Sequence, residues 1–251
     1  MSLLLSDYLT NNGANVHRGV YKLASDATDL YEGSRSSVAD FINANNNEIV
    51  FTKSTTHSIN IIANAYKHIL TKDDEIVISE LEHHSNLLPW LEVSKETGAK
   101  VKFIEVDNGR ITIENFKKVL NKNTKVVITH HISNVMGYIN PIEKMAKMAH
   151  KVGAVIVVDC AQSISHSKVD VKKMDLDFIA FSGHKMYGPN GIGILYGKFN
   201  LLNNLKPFEF GGEMVDKVIL NNSTFKDAPY KFEAGTPPIA EAIALKCAVD
   251  F

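Results

Sequence analysis

An α/β fold, with a largely parallel sheet buried on both faces, is the class this sequence predicts. Three observations carry it. Short runs of aliphatic and β-branched residues are apolar throughout instead of alternating, as strands covered on both faces must be. Segments of helical period separate them in a β-α-β-α rhythm. Polar residues of unusual chemistry gather just past the C-terminal ends of the runs, the edge where open α/β sheets bind ligands. The hydrophobic share, 45% of 251 residues, is enough for one substantial core.

The elements follow in order. Residues 48–52 (EIVFT) read as a buried strand. Ile59, Ile62, Ala63 and Tyr66 then repeat at i, i+3, i+4 and i+7, one face of an amphipathic helix. A strand at 75–79 (EIVIS) precedes a helix at 89–96 that stops at Gly98. A strand at 100–106, a helix at 113–120 and a strand at 125–129 (KVVIT) come next. The helix at 141–152 has the fullest punctuation: Asn140 at N-cap, Pro141 at N1 and Gly153 at C′. Strands at 154–159 (AVIVVD), 178–182 and 192–196 complete the sheet. Residues 1–44 read as a polar, partly helical and incomplete N-terminal segment, with the main domain over 45–251.

Composition narrows the function. A net charge of −1 offers no field to nucleic acid or to an anionic membrane surface. Two cysteines, Cys160 and Cys247, cannot build a disulfide framework, which fits a reducing cytoplasm. The N-terminus lacks the basic region of a signal peptide, and no apolar run is long enough to cross a bilayer.

Five clusters hold the chemistry. Ser54-Thr55-Thr56, between a strand and a helix, reads as an anion site suited to phosphate or as a plain N-cap. Glu82-His83-His84-Ser85-Asn86 raises the question of metal. A zinc site needs three or four converging ligands, and adjacent histidines without nearby cysteines do not supply them, so no metal is expected. A ring stacked on a planar cofactor and an exposed loop histidine are the other readings. In 131–134 (HISN), Asn134 could hydrogen-bond a cofactor or substrate oxygen or simply serve a turn. Asp159 ends a strongly apolar strand and needs a compensating partner, either a pyridinium N–H or a helix N-terminus. Lys185 sits in a glycine-rich turn between Ser182-Gly183-His184 and Gly188. A lysine that attacks an aldehyde must be neutral and rigidly placed, and this turn supplies more constraint than a surface β-turn requires.

These residues carry a resemblance. SGHKMYGPNGIGILY (182–196) resembles the lysine segment of the class V aminotransferase-like enzymes, especially the Suf-type (group II) cysteine desulfurases and selenocysteine lyases. NVHRGVYKLASDAT, ELEHHSNLLPW, ITHHISNVMG, VDCAQSISHSKVDV and KFEAGTPP have counterparts in the same order. The resemblance implies a fold type I, aspartate aminotransferase-like large domain around a seven-stranded, mostly parallel sheet, with pyridoxal 5′-phosphate as cofactor. It implies that Lys185 forms the Schiff base and shuttles a proton. His83 would stack on the ring, Asp159 would pair with its nitrogen and Gln162 with its hydroxyl. Thr56, Ser182 and His184 would hold the phosphate. Thr236 would reach the cofactor phosphate of a second subunit, Asn134 would contact substrate, and His17 and Arg18 would lie at the site's mouth. Cys160 stands where the family has a small residue and reads as a packing substitution.

The implied reaction converts L-cysteine to L-alanine in a homodimer, with the sulfur passed to an acceptor thiol for iron–sulfur cluster or other sulfur supply, and a sulfur-acceptor protein as partner. Selenocysteine lyase, cysteine sulfinate desulfinase and a non-catalytic cofactor-domain fragment are the alternatives. Family members continue into a small C-terminal domain with the persulfide cysteine and a carboxylate-binding arginine, and neither has a counterpart in these 251 residues.

Overall fold

The computed structural model describes residues 2–220 and 222–251. Its strands are β1 (Ile49–Thr52), β2 (Glu75–Ser79), β3 (Lys100–Ile104), β4 (Val106–Asp107), β5 (Arg110–Ile111), β6 (Thr124–His130), β7 (Val155–Asp159), β8 (Phe178–Ser182), β9 (Gly193–Gly197), β10 (Val215–Ile219) and β11 (Asn222–Phe225). The helices are α1 (Ser2–Asp7), α2 (Lys22–Ile42), α3 (Thr55–Tyr66), α4 (His84–Thr97), α5 (Ile113–Val119), α6 (Ile142–Lys151), α7 (Phe199–Asn204) and α8 (Ile239–Asp250).

Seven strands make the central sheet in the order β1-β9-β8-β7-β6-β2-β3. β9 runs antiparallel to β1 and β8, and the remaining pairings are parallel. Successive side chains of a strand point to opposite faces, and both faces are covered here. On one, Val127, Ile156, Val158, Ile179 and Phe181 pack with Val38 and Ile42 of α2, Met145 and Ala149 of α6 and Leu245 of α8. On the other, Ile76, Ile78, Ile128, Val157 and Leu195 meet Ile59 and Ile62 of α3 and Trp90 and Val93 of α4. Double coverage explains why the strands read as unbroken apolar runs. The predicted α/β sheet is the observed one.

Several boundaries differ from the sequence reading, each for a local reason. β3 stops at Ile104, because Val106 and Asp107 pair with Arg110 and Ile111 in a separate ribbon. α4 begins at His84 rather than Pro89: His83 caps it, its Nδ1 accepting the Ser85 N–H at 3.1 Å. Pro89 therefore lies inside the helix, past its first turn, where it removes one backbone hydrogen-bond donor. α6 starts at Ile142, with Pro141 rather than Asn140 in the cap position. The Asn140 side chain is diverted, its Nδ2 donating to the His130 carbonyl at 2.9 Å and so tying down the end of β6. β9 is shifted by one residue to 193–197, where Gly193 lies against the β1–α3 turn. A Cβ there would stand 2.5 Å from Ser54 Cα.

Candidate active site

The C-terminal ends of β1, β2, β6, β7 and β8 lie side by side and deliver the polar clusters to one edge of the sheet. Five of the residues singled out in the sequence line a single cleft there: His83, Asn134, Asp159, Gln162 and Lys185. His130, Ile132 and Ala161 complete its wall.

Asp159 is the buried charge of the cleft, 7% exposed. Its Oδ1 accepts the Ala161 N–H at 2.8 Å. Burial raises its pKa and the Glu82 charge adds to this, while the Ala161 N–H and the charges of Lys185 and His130 offset it only in part. Such a carboxylate is under-compensated and suits a cationic N–H donor. Lys185 follows on the single 3₁₀ turn Gly183–Lys185 after β8, with its side chain exposed to the cleft. A Cβ on Gly188 would lie 2.8 Å from the Gly183 carbonyl oxygen, so this turn closes only around glycine.

His83 is held from behind. Thr56 Oγ1 donates to Ser85 Oγ at 2.9 Å, and Ser85 Oγ lies 2.9 Å from His83 Nδ1. Because Nδ1 also accepts the Ser85 N–H, the proton of the neutral ring belongs on Nε2. The hydroxyl cluster is built differently from expectation. Ser182 Oγ is buried and accepts the Thr55 N–H at 2.7 Å, with Thr55 Oγ1 also 2.7 Å away. Thr55 is thus a member the sequence reading passed over, although the Ser54-Thr55-Thr56 triplet at a strand-to-helix junction was its signal. Ser54 caps α3 by accepting the His57 N–H at 3.2 Å.

Six expected residues lie outside the cleft wall, Thr56 and Ser182 in the hydroxyl cluster and four elsewhere. His184 is exposed on the turn beside Lys185. Thr236 lines a separate cavity with Phe51, His57 and Glu209. His17 is bonded to Glu32 at 3.0 Å, and Arg18 is paired with Glu213. A second residue that the sequence pattern does not single out is His130, buried at 5% exposure. The run KVVIT predicts a strand end at Thr129, but β6 runs one residue further. His130 therefore falls in register with Asp159 on the parallel strand β7.

A roomier cavity of about 650 Å³ lies between Asn64, His68, Phe208, Phe210 and Phe225, but none of the expected site residues lines it. Among the described residues no group of three or more His, Cys, Asp or Glu side chains could hold a metal ion.

A lysine on a glycine-bound turn facing a buried aspartate, at the carboxyl edge of a seven-stranded sheet, defines a class of fold and site that known proteins share. Residues 3–251 match the family described as aminotransferase class-V, and the chain belongs to that family. It is 50% identical over 250 residues to a probable cysteine desulfurase of Halalkalibacterium halodurans, covering 98% of this chain and 62% of the relative. It is 46% identical to a cysteine desulfurase of Haloferax volcanii, covering 98% and 58%. Among solved structures, the apo cysteine desulfurase of Thermococcus onnurineus NA1 superposes with a TM-score of 0.96 at 42% identity, covering 99% of this chain and 62% of that one. The cysteine desulfurase CsdA of Escherichia coli gives 0.92 at 39%, covering 99% and 63%. The chain spans roughly three-fifths of the length of these relatives.

Proposed function

We propose that this chain is the cofactor-holding part of a pyridoxal phosphate-dependent cysteine desulfurase. The observation that carries the reading is the convergence of Lys185 and the under-compensated Asp159 on one cleft. The residues fit the group: a primary amine for its aldehyde, a buried carboxylate for its ring N–H, an anchored imidazole for its flat face, and hydroxyls at the α3 N-terminus for its phosphate. When bound, the cofactor supplies an electron sink for bond cleavage at the substrate's α-amino carbon and the carbon beyond it.

The residues of this chain then have distinct tasks. Lys185 would hold the cofactor at its aldehyde carbon and would move a proton with Nζ. Asp159 holds the ring nitrogen. His83 covers the ring and carries a proton on Nε2. Gln162 binds the ring hydroxyl. Thr56, Ser182 and His184 secure the phosphate together with Thr55. Asn134 orients the substrate. In the overall reaction L-cysteine and an acceptor thiol give L-alanine and the acceptor persulfide. The C–S bond breaks, an S–S bond forms, and the thiol proton stays with the alanine product.

Homodimerisation is part of the proposal. Thr236, His17 and Arg18 do not line the Lys185 cleft, which fits a role for them beside a neighbouring copy's site. A sulfur-acceptor protein is the proposed partner. Two cysteines in 251 residues support a reducing compartment, the cytoplasm. Among the described residues no helix is long and apolar enough to cross a membrane.

The test is direct. Wild-type protein given pyridoxal phosphate should gain a visible absorbance band. Borohydride should fix the cofactor on the peptide that contains Lys185, and Lys185→Ala should abolish both signals. A wild type that stays colourless, or a label on another lysine, would refute the reading. L-cysteine should give little sulfide with these 251 residues alone. Robust turnover would show that no further arginine or cysteine is needed.

A further inference from the structure

The buried pair Glu82–His130 stands behind Asp159 and has no part in the tasks above. The Glu82 side chain is fully buried. Its carboxylate accepts from Ser79 Oγ, from Asn86 Nδ2 at 2.6 Å, and from the His130 N–H at 3.2 Å. It also contacts His130 Nδ1 at 2.8 Å. Every other partner of Glu82 is a donor, so Nδ1 donates as well, and the imidazole is fixed at one end. Nε2 is left without a hydrogen-bond partner among the described residues, on a ring that lines the cleft. The backbone beneath is equally constrained, since the His130 carbonyl accepts from Asn140 Nδ2. His130 and Asp159 are register partners on adjacent parallel strands, so both project from the same face of the sheet.

We propose that His130, clamped by Glu82, is a positioning residue that holds Asp159 in the ionised form needed to grip a ring nitrogen. This rests on the pyridoxal phosphate reading. Asp159 is desolvated, and its direct protein partner is one neutral backbone N–H. A carboxylate in that position drifts towards its neutral form, which cannot make a charge-assisted bond to a pyridinium. An imidazolium beside it counters the drift. Around Asp159 the charges divide: Glu82 adds to burial in raising its pKa, while Lys185 and His130 lower it, so the His130 charge works against the Glu82 carboxylate as well as against burial. Burial opposes charge on the ring, but the hydrogen bond and charge of Glu82, with the charge of Asp159 behind them, outweigh it. His131, the next residue, is kept neutral by burial and by His130, and adds no competing charge. Lys185 and His83 face the same cleft from other elements, but they are committed to the cofactor's aldehyde and its ring face. His130 is the cationic group left over for Asp159.

The experiment compares binding of pyridoxal phosphate with its 1-deaza analogue, which has carbon in place of the ring nitrogen, in wild type and His130→Gln. Glutamine can still donate to Glu82 but cannot carry charge. Wild type should prefer the natural cofactor by about tenfold or more, the worth of one charge-assisted hydrogen bond. In His130→Gln that preference should shrink most of the way to unity, while affinity for the analogue stays near the wild-type value. With ¹⁵N-labelled cofactor, the ring-nitrogen resonance should show a protonation midpoint moved to lower pH in the variant. His130→Asn, also uncharged, should shift both readouts in the same direction and covers the case of a poorly folding His130→Gln.

Equal weakening of both ligands would mean that His130 merely supports the fold, and would overturn the proposal. So would an unchanged preference with an unchanged resonance. A wild type that binds neither ligand would instead overturn the cofactor reading, and this proposal with it.

Discussion

Replacing Arg35 with methionine should be among the most damaging substitutions in the chain, and its size can be worked from the contacts. Arg35 is 1% exposed in the middle of α2. Its guanidinium donates to Glu233 through Nη1 at 2.7 Å and Nη2 at 3.0 Å, to Glu32 through Nε at 2.9 Å, and to the Ile49 carbonyl at 2.7 Å. Glu233 depends on that charge, because its side chain is 6% exposed. Its other partners, the Phe51 N–H and the Tyr31 hydroxyl, are neutral. Methionine fills much of the same volume but strands a buried carboxylate, a loss of about 3–5 kcal/mol. For a domain of this size that lowers Tm by roughly 6–20 °C. Denaturant unfolding followed by circular dichroism measures it. Adding Glu233→Gln to Arg35→Met should recover a large part of the loss, since the stranded charge is then gone. A single variant that loses less than about 1 kcal/mol would refute the reasoning, because that is the worth of an exposed ion pair.

Three further outcomes follow from single residues. Burial, with the His130 charge beside it, pushes His131 down to about 4. The folded state therefore demands a neutral ring, and its stabilising share is complete above about pH 6.5 and drains as pH falls towards 4. That share amounts to about 3 kcal/mol, so His131→Leu should flatten stability against pH in that window, and an unchanged slope would contradict it. Gly193→Ala should cost about 1–3 kcal/mol through the clash with Ser54, seen as a lower thermal midpoint, and a variant as stable as wild type would argue against the close approach. Cys160 is fully buried and its thiol is pushed up to about 12. Peptide mapping should find it unlabelled by iodoacetamide in the folded protein and labelled after denaturation.

The sheet was legible because strands buried on both faces leave a one-dimensional trace: β2 and β8 are the runs EIVIS and FIAFS at the positions predicted. Boundaries were less legible where a side chain has a tertiary task. Asn140 looks like a helix cap, but the His130 carbonyl claims its amide. His83 looks like a loop residue, yet it caps α4. His130 escaped notice because its meaning depends on register, and a single-strand pattern cannot say which residue of β7 stands beside it. Thr55 was hidden within a triplet of hydroxyls whose order of engagement depends on how β8 approaches α3.

The residues that fell outside the cleft have a common anchor. His17 bonds Glu32, Glu32 bonds Arg35, and Arg35 bonds Glu233, three residues before Thr236. His17, Glu233 and Pro237 line one small cavity, and Glu233, Thr236 and Pro237 line the next. The N-terminal segment and the KFEAGTPP turn are thus positioned by one buried ion cluster, physically distinct from the Glu82–His130–Asp159 group behind the cleft. Each cluster orders its own set of active-site candidates. A variant that loosens Arg35 should disturb His17 and Thr236 together while leaving the Lys185 cleft able to take up cofactor. A variant that disturbs Glu82 should do the reverse. If Arg35→Met abolished cofactor attachment at Lys185 in protein that remained folded, the two clusters would have to be coupled through β1, the strand that carries Phe51 beside Glu233 and leads into the Ser54-Thr55-Thr56 turn.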